Sequence, residues 1–151
     1  MQDDNARFVR GGKRYTRPTG CKRYAIKVSQ NQSDKKWLGC NGDAEEWPVA
    51  YHGTNEINGY EITKNGFDLT KCKRFLFGEG IYCTPDPKTA LLYAKEYIYQ
   101  GKKNYLILQT RVNPKTMQIV KAADFNGLGE YWLVPEGDHI RPYGICVFPV
   151  I

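Results

Sequence analysis

The sequence predicts an α+β fold in which most strands are antiparallel and helices are few. Residues 86–101 carry the clearest helical pattern, and the segments after them are apolar, strand-like and separated by Asn, Gly and Pro. One helix within a series of strands does not follow the strand–helix alternation of a parallel sheet. The chain has 151 residues, 41% of them hydrophobic, so it is long enough for one domain with a substantial core.

The predicted strands are short apolar or alternating segments bounded by turn residues. Two precede the helix and four follow it, at residues 24–28, 48–53, 104–112, 117–121, 130–134 and 144–150. The segment PVAYHG at 48–53 ends in a glycine, and NYLILQTRV at 104–112 is the most apolar of the set.

The predicted helix has signals at both ends. Asp86 can cap its first turn, Pro87 suits the position that follows, and Gly101 suits the far end. Tyr93 lies on the flank of the buried face. Helical spacing assigns that face to Ala90, Leu91, Ala94, Tyr97 and Ile98.

Cysteine and histidine usage bounds the compartment and the chemistry. The five cysteines, at positions 21, 40, 72, 83 and 146, form no CxxC pair, so we expect reduced thiols and a cytoplasmic or nuclear protein. With only His52 and His139 as imidazoles, we expect no metal site. The sequence has no secretory signal at its start and no apolar run long enough to span a membrane, so we expect no membrane partner.

Positive charge is concentrated at the start of the chain. Residues 1–40 hold ten Lys or Arg and three Asp, for a net +7, whereas the remaining residues have a net charge of −1. We interpret residues 1–23 as a basic, partly mobile arm and 24–151 as the domain. The arm interleaves cations with Phe8 and Tyr15, and Tyr24 follows it. Such a segment is either a solvated arm or a grip on nucleic acid through phosphates and stacking.

Residues 77–85, FGEGIYCTP, place Tyr82 after two glycines. Glycine lets another backbone or a ligand approach closely. Alone, the segment also fits a plain turn at Gly78 and Gly80 that leads into a strand with Tyr82 in the core.

Three segments in order carry a family resemblance: YHGT at 51–54, FGEGIYCTPD at 77–86 and GEYWLVP at 129–135. Over about residues 47–148 they resemble the catalytic domain of the poly(ADP-ribose) polymerase-like ADP-ribosyltransferases of the diphtheria-toxin-like branch. The resemblance implies a fold of two packed antiparallel sheets, with NAD in a cleft between them.

The resemblance also implies site residues. His52, Tyr82 and Glu130 match the catalytic His-Tyr-Glu triad. The implied NAD contacts are His52, Gly53, Thr54, Tyr82, Thr89 and Tyr93.

Each implied contact has a chemical role. Gly53 would bind the nicotinamide carboxamide through its backbone, between the rings of Tyr82 and Tyr93. His52 would bind a hydroxyl of the adenosine ribose. Glu130 would bind the 2′-hydroxyl of the nicotinamide ribose and stabilise the developing positive charge.

Two departures from the family pattern stand out. The family serine that contacts the carboxamide falls on Ala90, or on Thr89 if the register shifts by one. The loop before Glu130 is short, which favours transfer of single ADP-ribose units.

The function predicted is NAD-dependent mono-ADP-ribosyl transfer, most readily to a protein acceptor, without a metal. A catalytically silent module that binds NAD or ADP-ribose and an NAD glycohydrolase remain alternatives. A nucleic-acid-directed enzyme that uses the basic arm, including a relative of the RNA 2′-phosphotransferases, ranks below both. That last group depends on extra arginines near the cleft, and residues 47–73 contain no arginine.

Overall fold

Antiparallel strands and two α-helices are the main elements of the described part of the chain. The structure is a computed structural model that describes residues 8–27, 35–68, 80–124 and 127–150. The side chains of residues 122–124 and 127–128 are not described. The helices are α1 (Glu56–Asn65) and α2 (Pro87–Leu91). The strands are β1 (Val9–Arg10), β2 (Lys13–Arg14), β3 (Lys22–Ala25), β4 (Val49–Gly53), β5 (Ile81–Cys83), β6 (Tyr97–Tyr99), β7 (Lys102–Val112), β8 (Gln118–Asp124), β9 (Gly127–Val134) and β10 (Ile140–Pro149). Neither described helix is long and apolar enough to cross a membrane.

The strands form a small hairpin and two sheets. Strands β1 and β2 pair with each other. The larger sheet has the order β3-β10-β7-β4, with β6 also paired to β7, and the smaller one has the order β5-β9-β8. Every pair is antiparallel. The α+β prediction with antiparallel sheets and few helices is therefore confirmed.

The larger sheet buries apolar side chains on both faces, because successive residues of a strand point to opposite sides. Ala50 belongs to one buried cluster, which also contains Trp132 of the smaller sheet. Tyr51, its neighbour, belongs to a second cluster on the other face, together with Ala90 of α2. Strand β4 thus connects the two cores, and the residues that follow it emerge where the sheets meet.

The strands predicted over residues 48–53, 104–112, 117–121, 130–134 and 144–150 are confirmed, with ends moved by up to four residues. The strand predicted at 24–28 overlaps β3, which lies at Lys22–Ala25. Val28 lies outside the described residues.

The predicted helix over 86–101 is confirmed only at its start. Asp86 caps α2 by accepting a hydrogen bond from the Lys88 N–H (2.9 Å), but the helix ends at Leu91. Residues 92–96 belong to no helix or strand, and β6 then pairs with the start of β7 as a hairpin. Gln100 and Gly101 form its turn, with φ of 51° and 76°. Two consecutive residues with left-handed backbone angles favour a tight hairpin. This hairpin forms in place of the helix that the apolar spacing predicts.

Helix α1 was not predicted. Its N-cap Asn55 accepts from the Asn58 N–H (2.8 Å), and Gly66 ends it with a φ of 80°. Gly59 is its buried residue, and a Cβ there would lie 3.0 Å from a Leu106 methyl carbon. The helix meets the sheet through a glycine instead of an apolar stripe, so its sequence lacks the periodic signal.

The predicted basic arm, residues 1–23, is described from residue 8 onward. The Gln109 side chain donates to the Tyr15 hydroxyl (2.8 Å), and the Tyr51 hydroxyl donates to the Thr16 carbonyl (2.6 Å). Strand β3 spans the boundary drawn at residue 23 and pairs with β10. Residues 8–23 therefore contact the domain.

Candidate active site

Within the described residues, one backbone-paired bridge joins the two sheets. Tyr51 of β4 and Thr84, which follows β5, exchange both backbone hydrogen bonds, at 2.7 and 3.0 Å. Hydrogen-bonded pairs alternate along an antiparallel ladder, so the next such pair would be Gly53 with Tyr82. That pair does not form in the described residues, so the ladder between β4 and β5 stops there. We call the space bounded by His52, Gly53 and Tyr82 the β4–β5 notch.

The His52 imidazole occupies the acceptor that a continued ladder would use. Its Nδ1 lies 2.8 Å from the Tyr82 carbonyl oxygen, which can only accept, so Nδ1 carries the proton. Burial lowers the pKa of His52, and the bond to Tyr82 raises it by less. The imidazole is therefore neutral near pH 7, and Nε2 is a hydrogen-bond acceptor. Phe67 packs edge-on against the His52 ring, with 5.1 Å between the two ring centroids.

Gly53 directs its backbone into the notch. Successive residues of a strand direct their N–H and C=O groups to opposite edges, and those of Tyr51 point toward β5. Those of Gly53, two residues on, point the same way, but no ladder bond to Tyr82 uses them. A Cβ at Gly53 would collide with the Ala90 carbonyl oxygen of α2, so only glycine permits this contact.

The residues beside Gly53 have structural partners. Thr54 is buried, and its carbonyl oxygen accepts a long hydrogen bond from the Lys95 N–H (3.4 Å). The Thr89 hydroxyl donates to the capping carboxylate of Asp86 (3.3 Å). The family resemblance implied a carboxamide contact for Thr89 if the register shifts by one from Ala90, but here the Thr89 hydroxyl takes part in the helix cap.

Tyr93 lies just beyond the end of α2 and contacts Tyr131 of β9. Their hydroxyl oxygens are 3.0 Å apart, and their rings meet edge to face at 6.1 Å. Tyr131 is buried and shares a face of the smaller sheet with Leu133, which pairs with Tyr82. Tyr82 and Tyr131 thus lie on one face of this sheet. Sequence reasoning missed Tyr131, although alternation from the Tyr82–Leu133 pair identifies it.

Glu130 lies on the opposite face of the smaller sheet. It shares that face with Trp132, whose indole N–H donates to Glu130 Oε2 (2.9 Å). The last residue pair between β5 and β9 is Cys83 with Trp132, so Glu130 lies beyond the end of β5. The structure brings His52, Gly53 and Tyr82 together at the notch, and Tyr93 together with Tyr131. It does not bring Glu130 onto the Tyr82 face.

Gly80 packs closely beneath β9. A Cβ there would lie 2.5 Å from a Leu133 methyl carbon and 2.8 Å from the Val134 carbonyl oxygen, so this approach requires glycine. Gly78, the other glycine of the turn expected before Tyr82, lies outside the described residues.

Two buried cysteines and the second histidine lie outside the notch, and each has a different environment. Burial raises the pKa of Cys83, and burial with the neighbouring Cys21 raises that of Cys146 to about 12, so both thiols stay protonated. Glu136, Asp138 and His139 have possible ligand atoms within 4.8 Å of one another. However, both ring nitrogens of His139 already have partners, Thr116 at 2.9 Å and Glu136 at 3.3 Å.

Neither a scan against models of protein families nor a search of curated proteins gives a match to this chain.

Proposed function

We propose that the chain is an ADP-ribosyltransferase with the fold of the poly(ADP-ribose) polymerase-like enzymes, and that it binds NAD at the β4–β5 notch. It would cleave the bond between nicotinamide and ribose and transfer a single ADP-ribose unit to a macromolecular acceptor, in the first instance a protein. The bond's electron pair leaves with nicotinamide and neutralises its ring charge. The acceptor nucleophile then forms the new bond to C1′ and loses its proton.

The backbone of Gly53 is the observation that carries this proposal. A primary carboxamide offers one acceptor oxygen and a donor NH₂, which complement an N–H and a C=O on the same residue. Tyr82 borders the same space, so a flat ring held by the carboxamide would lie beside an aromatic side chain. Tyr93, fixed by Tyr131, is the proposed second wall.

His52 supports the proposal through its tautomer. With Nδ1 bound to Tyr82, Nε2 is available to accept a hydrogen bond from a ribose hydroxyl. The fixed orientation of the ring means that little freedom is lost when a sugar binds.

Glu130 would stabilise the positive charge that develops on the nicotinamide ribose. Electrostatic stabilisation of this kind contributes most when its groups are already in place. In the structure the Glu130 carboxylate instead accepts from the Trp132 indole on the opposite face. The proposal requires the carboxylate to leave that indole and turn toward the Tyr82 face. Its place beyond the end of β5 leaves that stretch of β9 without a β5 neighbour to oppose the turn.

A silent NAD-binding module is the second candidate, and one observation favours it. The Glu130 carboxylate and the Thr89 hydroxyl, one expected at the ribose and one at the carboxamide, are both bonded elsewhere. The notch would then bind nicotinamide without cleaving the glycosidic bond.

One experiment separates these candidates. The protein is incubated with NAD carrying one label on nicotinamide and another on adenine, together with a pool of protein, RNA and DNA. Release of nicotinamide with adenine label on a macromolecule supports the transferase. Release with free ADP-ribose indicates a glycohydrolase, and saturable NAD binding without release indicates the silent module. A Tyr82→Ala variant is the control for reaction at this site.

A further inference from the structure

One face of the larger sheet carries exposed aromatic and basic side chains on the strands β3, β6 and β7. Cross-strand partners in a sheet share a face. Tyr24 pairs with Ile145, which pairs with Leu108, and in the same sheet Tyr97 pairs with Asn104. Residues 104 and 108 are an even number apart on β7, so both tyrosines lie on the same face.

The same register adds three further side chains. Lys22 lies two residues from Tyr24 on β3, and Tyr99 pairs with Lys102 two residues from the Tyr97 pair. We call Lys22, Tyr24, Tyr97, Tyr99 and Lys102 the tyrosine face.

Its tyrosines are available to a ligand. Tyr24 is 54% exposed and Tyr99 is 64% exposed, which is unusual for large aromatic side chains on a sheet. The pKa of Tyr97 is raised first by partial burial, and then by Glu56 and Tyr24, which places those groups nearby. Glu56 at the start of α1 is the acidic group that borders the face.

The two lysines of this face carry positive charge. Within the described residues, neither Lys22 nor Lys102 forms an ion pair with a carboxylate. Residues 5–33, which include β3, contain no Asp or Glu and eight Lys or Arg. Lys27 is exposed three residues after Tyr24 and adds positive charge along this edge of the sheet, whereas Arg23 lies on the opposite face of β3 and donates to the Tyr15 hydroxyl.

We propose that the tyrosine face binds single-stranded nucleic acid, with bases stacked on Tyr24 and Tyr99 and phosphates held by Lys22 and Lys102. Lys22 and Tyr24 are about 7 Å apart along β3, so one nucleotide can contact both. Bases in a duplex are already stacked, so exposed rings favour a single strand. Sheet-borne aromatics that stack bases are a recurrent solution in RNA-binding modules.

An acidic polypeptide would satisfy the lysines but would leave the tyrosine rings without a specific partner. The nucleic-acid proposal does not depend on NAD chemistry, because the tyrosine face shares no residue with the β4–β5 notch.

The test is fluorescence anisotropy with labelled RNA and DNA of about twelve nucleotides, over a range of salt concentrations. Tyr24→Ala should weaken binding roughly 5- to 150-fold, the scale for losing one base–aromatic stack. Tyr24→Phe keeps the ring and should bind within about twofold of the wild type. Both substitutions are at an exposed side chain, and circular dichroism verifies that the fold is intact.

The lysines are tested by charge. The double variant Lys22→Gln/Lys102→Gln should reduce the magnitude of the slope of log affinity against log salt by about 1.4, at about 0.7 per phosphate contact. Lys64→Gln/Lys115→Gln removes the same charge from exposed sites on α1 and after β7, and is the matched control.

Four results would overturn the proposal: wild-type affinity in Tyr24→Ala, equal loss in the two lysine pairs, equal affinity for a duplex of the same sequence, or displacement of the oligonucleotide by polyglutamate as readily as by unlabelled oligonucleotide.

Discussion

The β4–β5 notch and the start of β9 hold the three predicted catalytic residues in different ways. At the notch, the backbone fixes the geometry: Gly53 lies against Ala90, and the His52 ring is bonded to the Tyr82 carbonyl. On β9, Glu130 is positioned by one side-chain hydrogen bond, to Trp132, beyond the end of the neighbouring strand. The half that would bind nicotinamide is therefore preorganised, whereas the half that would stabilise charge must move.

This difference means that NAD binding and NAD cleavage can fail independently. Substitutions at the notch should change affinity, and substitutions at Glu130 should change turnover. The following predictions test that separation, beginning with the largest effect.

Glu130→Gln should lower turnover by about 10²–10³-fold, the scale of removing one electrostatic stabiliser of the transition state. NAD affinity should change little, because the notch does not include Glu130. Steady-state release of nicotinamide measures the first quantity and calorimetry measures the second.

Glu136→Gln is the matched control for this change. Glu136 is exposed and faces His139, so its loss should leave turnover near that of the wild type. A rise in KM with unchanged kcat in Glu130→Gln would mean uniform binding instead of charge stabilisation.

Tyr82→Ala should weaken NAD binding by about 1–3 kcal/mol, the scale of one stacking partner. The tyrosine hydroxyl is not part of that contact, so Tyr82→Phe should retain affinity. Intrinsic fluorescence on titration with NAD reports both variants. Equal affinity of the wild type, Tyr82→Ala and Tyr93→Ala would mean that the nicotinamide slot lies elsewhere.

Tyr131→Phe tests the support of Tyr93. The substitution removes the hydroxyl contact at 3.0 Å and keeps the ring, so the free energy of unfolding should fall by about 0.5–1.5 kcal/mol. Urea denaturation measures this loss. If Tyr131 also orients Tyr93 for nicotinamide, NAD affinity should fall in parallel, and an unchanged affinity would limit Tyr131 to stability.

The smallest effect is the pH dependence that His52 gives to stability. Its folded pKa is lowered from the ordinary value of about 6.5, so on acidification the unfolded state binds the proton first. The stabilisation is complete above about pH 6.5 and is lost as the pH falls toward the folded value. His52→Gln should remove this part of the slope in the free energy of unfolding between pH 7 and 5. An equal slope in the wild type and His52→Gln would contradict it, and His139→Gln serves as the comparison.

Local chemistry made part of the fold predictable. The apolar run of β7, the glycine that ends β4, and the Asp86–Pro87 start of α2 each follow from a short-range rule, and each is present. The end of α2 was not predictable from spacing, because Gln100 and Gly101 form a hairpin turn whose stability depends on pairing between β6 and β7. Helix α1 was not predicted because it packs against the sheet through Gly59 and therefore has no periodic apolar pattern.

The candidate site divides in the same manner. Neighbours along the chain, such as His52 and Gly53, come together wherever their strand lies. The faces of Glu130 and Tyr131 depend on the register of β9 against β5, and a shift of one residue exchanges them. Register is a property of the assembled sheet, so the family resemblance could point to Glu130 without showing which face it occupies, and nothing in the sequence indicated Tyr131.

The backbone of Gly53 offers the most direct test. In ¹⁵N-labelled protein, titration with nicotinamide should shift the Gly53 amide resonance in a saturable manner, because its N–H acquires an acceptor at the notch. Unlabelled NAD should produce the same shift, and Tyr82→Ala should weaken the response to both. Saturable binding of NAD that leaves the Gly53 amide unchanged would contradict the proposed site.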